Sequence, residues 1–84
     1  MSKVRVKYRG YLAALTGSAE ETLDAQDVES LLLSIRERHG RPAEKTARAM
    51  IIALNGESIL LLRRYKTVLE EGDTLSFYPL CGGG

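Results

Sequence analysis

Between residues 3 and 8 the chain alternates. Val4, Val6 and Tyr8 are separated by Arg5 and Lys7, the two-residue period of a strand with one face in a core. The period is then lost through Arg9-Gly10-Tyr11-Leu12-Ala13-Ala14-Leu15, which Thr16-Gly17-Ser18 closes as a turn. Residues 20–23 carry a weaker strand signal and are expected to return beside the first strand as a hairpin. From residue 27 the period becomes helical: Val28, Leu31, Leu32 and Ile35 fall at i, i+3, i+4 and i+7, one buried stripe. Asp27 is placed to cap this helix, its carboxylate accepting from free backbone N–H groups. Arg36, Arg38 and His39 put positive charge in the last turn, where the helix dipole favours it, and Gly40 suits the position that follows. The helix is predicted over 27–39, with Leu33 off the stripe at the edge of the core.

Pro42 is tolerated at a first helical position and opens a short second helix through residue 48. Residues 50–54 form an apolar run of strand length, and Asn55-Gly56 is a strong tight-turn dipeptide. Residues 59–62 are read as a short apolar strand or sheet edge. Glu71-Gly72-Asp73 makes another turn before a final strand over 74–78, which Pro79 ends because it has no N–H for the ladder. The order is β-β-α-(short α)-β-β-β. One helix on one face of a mixed sheet is an α+β two-layer solution. The first and last strands, both apolar, are expected to be central neighbours. They must then run parallel, with the helical middle as the long connection such a pair needs. That is a β-grasp arrangement, four to five strands packed on one main helix.

Length and composition narrow the possibilities. The 84 residues make a single domain over 1–84, which buries about 60–65% of the surface its unfolded chain exposes. That is enough for one modest core and leaves little room for an internal cavity. A formal net charge of +1 gives no electrostatic case for nucleic acid or an anionic membrane. No apolar run approaches the ~20 residues of a membrane span. The charged, alternating N-terminus shows no signal-peptide pattern, so a cytoplasmic location is expected. One cysteine, Cys81, and one histidine, His39, exclude an internal disulfide and argue against a zinc cluster. His39 is taken as a helix-end residue, and Arg63-Arg64-Lys66 as a solvated basic cluster, with an acidic partner as the alternative. No nucleophile–base–acid set stands out, which argues against a self-sufficient enzyme.

Several stretches together resemble a known family. They are Tyr11-Leu12-Ala13-Ala14-Leu15-Thr16-Gly17, then Ala53-Leu54-Asn55-Gly56-Glu57, then Thr67, Leu69, Gly72 and Asp73, and finally Phe77-Tyr78-Pro79-Leu80-Cys81-Gly82-Gly83-Gly84. In order and spacing the chain is similar to the MoaD/ThiS group of ubiquitin-like sulfur carriers, nearest the molybdopterin-synthase small-subunit type. Two positions depart from the family pattern: Leu80 stands where a second proline is common, and Cys81 where a valine is frequent.

The resemblance implies a cycle centred on Gly84. An E1-like adenylyltransferase uses ATP to adenylate the terminal carboxylate, a sulfur donor displaces AMP, and the resulting thiocarboxylate passes sulfur to an acceptor such as a synthase large subunit. The chain is then a carrier, not an enzyme, and binds no cofactor or metal itself. Gly83, Gly82 and Cys81 are the tail to be threaded. Glycine has no side chain to block a narrow channel and accepts the backbone angles a partner imposes. Fully extended, the last three residues span roughly 10 Å. The tail over 81–84 is expected to be flexible, with Cys81 a small apolar residue at its base. Strand alternation points Leu75, Phe77, Ile52 and Leu54 inward and Ser76, Tyr78, Ile51 and Ala53 outward. Ile51, Ala53 and Tyr78, with Pro79 and Leu80, are therefore the expected partner-binding patch. Two alternatives share the fold: a protein modifier that forms isopeptide bonds through Gly84, and a binding module with an inert tail.

Overall fold

In a computed structural model, which describes residues 1–80, the chain forms five strands and three helices with two 3₁₀ turns. Strand β1 spans Ser2–Lys7, helix α1 Tyr11–Thr16, strand β2 Glu20–Ala25, helix α2 Val28–His39 and helix α3 Arg41–Arg48. Strands β3 (Ile51–Leu54), β4 (Glu57–Ser58) and β5 (Thr74–Tyr78) complete the sheet. Its order is β2-β1-β5-β3-β4. β1 runs parallel to β5, pairing Arg5 with Thr74 and Lys7 with Ser76, while β3 runs antiparallel to β5, pairing Ile51 with Tyr78 and Leu54 with Leu75. The expected central parallel pair is present, and the last strand lies in the middle of the sheet.

Helix α2 forms as its pattern dictates. Val28, Leu31, Leu32 and Ile35 are fully buried. Asp27 Oδ1 accepts from Ser30 N at 2.8 Å and Ser30 Oγ accepts from Asp27 N at 3.1 Å, a reciprocal cap that satisfies two otherwise orphaned donors. Arg48, in the last turn of α3, donates to both carboxylate oxygens of Glu29 at 2.9 Å and to Glu44. With Glu29 foremost, these carboxylates hold its guanidinium above the ordinary arginine range, and they tie α3 to α2.

Two local expectations are corrected, and a segment to which the pattern assigns no element proves helical. Residues 11–16 form α1, a helix too short to show a full apolar period. It buries Leu12 and ends on Gly17, whose N–H donates to Ala13 O at 2.9 Å and whose φ of 74° turns the Ser18 N–H back to the same carbonyl at 3.2 Å. Residues 59–62 do not form a strand. The chain leaves the sheet after Ser58, whose Oγ accepts from Leu60 N at 3.2 Å, and Ile59–Leu61 coil into a 3₁₀ turn. Ile59 is buried by this turn while Leu60 and Leu61 point to solvent. The second strand is also longer than expected, ending at Ala25.

The turn at Asn55-Gly56 is joined to the start of β5. Asn55 takes φ 50° and Gly56 φ 88°, the paired positive angles of a hairpin turn. Asn55 Nδ2 donates to Asp73 Oδ1 and Asn55 Oδ1 accepts from Thr74 N, both at 2.9 Å. Asp73 Oδ2 accepts in turn from Glu70 N at 2.8 Å. The asparagine and aspartate at these positions thus fix where the last strand enters the sheet.

Candidate functional site

The root of the C-terminal tail is the C-terminal end of β5. Phe77 is fully buried, with the Tyr8 ring 6.1 Å away between centroids. The next residue, Tyr78, lies on the open face, where register sets it opposite Ile51. Both are exposed, at 36% and 43%, and Leu80 beyond them is 67% exposed. The structure therefore brings Ile51, Tyr78, Pro79 and Leu80 to one end of the sheet. Ala53 does not join them as an exposed residue: it is only 7% exposed. Its outward direction was inferred from alternation, but it sits opposite Ser76 on the central strand, and a methyl group there lies below the reach of longer neighbours. Ser76 is buried to the same degree for the same reason. Leu54, expected inward, is only partly buried against the core. Cys81, Gly82, Gly83 and Gly84 lie outside the described residues.

The connection from β1 to α1 holds this root from the other side. The Arg9 guanidinium lies 4.8 Å from the centroid of the Tyr78 ring, within cation–π range. Gly10 takes φ 60° and ψ −139°, a combination open to glycine and strained for other residues. A Cβ at Gly10 would come 3.3 Å from Pro79 Cγ. The glycine thus serves both the bend into α1 and the close passage of the tail. A groove of about 320 Å³ opens beside it, lined by Tyr11, Leu12, Ala49, Met50, Pro79 and Leu80 among others. Arg9, Gly10 and Tyr11 were not singled out as site residues from the sequence. Their partners lie at the far end of the chain, and no local pattern joins them.

A second cluster lies directly behind the root. Glu21 Oε2 accepts from Tyr8 Oη and from His39 Nε2, both at 2.5 Å, and Glu21 Oε1 faces Arg38 Nε at 2.8 Å. Burial pushes the Glu21 carboxyl up, but the donors Tyr8 and His39 and the charge of Arg38 outweigh it and hold the group below its ordinary range. Burial first, and then the same carboxylate, raise the Tyr8 phenol. His39 is thus a helix-end residue as expected, and one that bonds across to β2. The cluster joins Tyr8, just after β1, to β2 and the end of α2 beside Phe77. Among the described residues, no group of three or more His, Cys, Asp or Glu side chains gathers to hold a metal ion, and no helix is long and apolar enough to cross a membrane.

Comparison with known proteins agrees with this geometry. A sequence search of curated proteins finds no match. Among solved structures, small archaeal modifier protein 1 from Methanosarcina acetivorans superposes with a TM-score of 0.87 at 26% identity, over 100% of this chain and 98% of that one. The Pyrococcus furiosus protein described as molybdopterin converting factor, subunit 1, gives 0.77 at 25% identity, over 96% and 100%. A chain of the Helicobacter pylori complex of subunits 1 and 2 of the molybdopterin-converting factor gives 0.70 at 24% identity over 98% and 99%, a likeness of fold. The fold is the ubiquitin-like β-grasp. The ThiS family model matches residues 6–84, and the chain belongs to the ThiS family.

Proposed function

We propose that the protein is a sulfur carrier whose Gly84 carboxylate is adenylated by an E1-like enzyme and then converted to a thiocarboxylate. The observation that supports this reading is one of continuity. The buried central strand runs without a linker into Pro79 and Leu80, and the sequence continues directly into Cys81-Gly82-Gly83-Gly84, in a chain of the ThiS family. Members of this family are small carrier proteins, and catalysis belongs to their partners. In the adenylation step the carboxylate oxygen attacks the α-phosphate of ATP and pyrophosphate leaves. A hydrosulfide donor then attacks the acyl carbon, the bond to AMP breaks, and the thiocarboxylate remains.

Gly82 and Gly83 suit this chemistry as a slim tether between the folded body and the reactive carbon. Ile51, Tyr78, Pro79 and Leu80 form the surface on which the activating enzyme, and later the acceptor, would rest. Ala53 is the floor of that surface. The Pyrococcus furiosus likeness supports a synthase large subunit of molybdopterin biosynthesis as the acceptor; the cytoplasm is the location proposed for both. The likeness to a small archaeal modifier protein supports a second reading, attachment of Gly84 to lysines of other proteins.

One experiment separates these readings. The protein is incubated with its E1-like enzyme, ATP and a sulfide donor, and its intact mass is measured. Replacement of one oxygen by sulfur is expected, and deletion of Gly84 should abolish it completely without lowering the melting temperature. Branched Gly-Gly remnants on lysines would establish the modifier reading. An unchanged mass in the full-length protein would overturn both.

A further inference from the structure

We propose that the two 3₁₀ turns form a second docking surface, separate from the tail, for an acidic protein segment that carries aliphatic side chains. The turns span Ile59–Leu61 and Arg64–Lys66. Leu60 and Leu61 on the first turn and Val68 just after the second are 64%, 75% and 67% exposed. A groove of about 520 Å³ runs between them, lined by Leu61, Leu62, Arg63, Thr67 and Val68. Apolar tips gathered this closely on a small domain mark an interaction surface more often than scattered ones do.

Charge decides the occupant. Arg63, which lines the groove, and Arg64 and Lys66, which follow it in the chain, are exposed, and among the described residues none of them forms an ion pair. In this they resemble Lys3, Lys7, Arg9, Arg41 and Lys45 and differ from Arg5, Arg36, Arg38 and Arg48, each of which faces a carboxylate; what sets them apart is that they lie next to one another in the chain beside the exposed leucines. Three exposed cations in the same stretch of chain as three exposed aliphatic side chains complement a segment with leucine-like anchors flanked by aspartates or glutamates. Nucleic acid fits less well. The net charge is +1, and the flank offers no open ring for bases to stack on. Its one aromatic residue, Tyr65, is half-buried with the Arg48 guanidinium 5.1 Å over its ring.

The surface is also held in shape before any partner arrives. Thr67 is buried; its Oγ1 accepts from Arg63 N at 2.9 Å and its carbonyl from Val28 N at 3.1 Å. Leu69 N donates to Gln26 O at 2.9 Å, and Val68 bridges Asp27 at the start of α2. Arg64 is kept at φ 52°, a left-handed conformation that a long side chain seldom adopts and that collects at functional positions. A preordered surface loses less entropy on binding. None of these residues lines the groove at the tail root, so this surface would persist in a protein lacking Gly84.

The test uses the full-length protein and a fluorescent peptide with two leucines flanked by aspartates. Anisotropy gives affinity and ¹⁵N amide shifts locate the site. Saturable binding is expected, weakened by salt, with shifts confined to residues 60–68. Arg63→Glu with Lys66→Glu, and separately Leu61→Ser with Val68→Ser, should each weaken it by about tenfold or more. The shift map of the unmodified protein stands as a readout even if a variant misfolds. Absence of saturable binding, shifts elsewhere, or equal binding by a peptide with serines in place of leucines overturns the proposal. So does tighter binding of an oligothymidylate or of phosphatidylserine vesicles to the same residues.

Discussion

Beyond the ladder pairing that runs along β5, side-chain hydrogen bonds hold its entrance at Thr74 and side-chain packing holds its exit at Tyr78. At the entrance Asn55, Asp73 and Thr74 exchange side-chain and backbone bonds at 2.9 Å. At the exit a guanidinium lies over the Tyr78 ring and a glycine lies against Pro79. The two devices suit different tasks. Directional bonds between a turn and a strand fix register, which a sheet needs for its apolar face to meet the core. An apolar rim with a close glycine contact aims the chain while leaving its surface open to a partner. In the proposed function, one end of the strand would serve the fold and the other would serve activation of Gly84. Substitutions at the two ends should therefore separate stability from reactivity.

The largest effect is expected at Gly10. Gly10→Ala forces a Cβ into a glycine conformation and towards Pro79 Cγ, at a cost of about 1–3 kcal/mol in stability. It should also raise the KM for the activating enzyme several-fold while leaving kcat nearly unchanged, because a tail that leaves in another direction docks less often but reacts normally once seated. Adding Pro79→Ala removes the crowded ring and should recover part of the KM effect. Its recovery separates direction from backbone strain, which persists. A melting-temperature loss with no change in KM would make the exit end a structural joint and nothing more.

The contrast between the ends also explains what the sequence made legible. Helix α2 and strands β1 and β5 announce themselves because their apolar periods are local and long enough to count. The entrance bonds are half visible: Asn55-Gly56 marks a turn, but nothing in the chain says that its amide reaches Asp73. The run from Ile59 to Leu62 misleads because apolar residues in succession fit a strand or a tight helical turn equally, and the choice falls to the Ser58 cap. Ala53 misleads for another reason. Alternation gives a side chain's direction, while its exposure depends on the size of its neighbours across the sheet. The Arg9-Gly10 seat and the Glu21 cluster were hidden because each joins segments far apart in sequence.

A smaller effect is expected at the entrance. Asn55→Ala loses two side-chain hydrogen bonds and places a Cβ-bearing residue without a polar side chain at φ 50°, about 1–2 kcal/mol together. Asn55→Gly loses the same bonds but keeps the backbone angle accessible, so the difference between the two variants in urea midpoint reports the strain less the unfolded-state entropy that glycine adds. Neither should alter the KM for activation. A changed KM would mean that the strand transmits its entrance geometry to the tail, and the division of labour between its ends would fail.

The smallest effect concerns acid. Glu21 sits behind the exit end, facing Tyr8 just after β1 and Arg38 and His39 on α2. Its folded-state carboxyl is held below the ordinary value of 4.5, so the ionised form is favoured more in the folded chain than in the unfolded one. The stability this confers is present above about pH 4.5 and is lost as pH falls through the lower folded value. Urea midpoints measured from neutral pH downward should fall along that limb, and Glu21→Gln should flatten it while leaving the Asn55 side-chain bonds to Asp73 and Thr74 intact in ¹⁵N spectra. Direct titration of the Glu21 carboxyl carbon by NMR checks the direction. A midpoint at or above 4.5 would remove the basis for placing acid sensitivity behind Phe77, and the exit end would then differ from the entrance in packing alone.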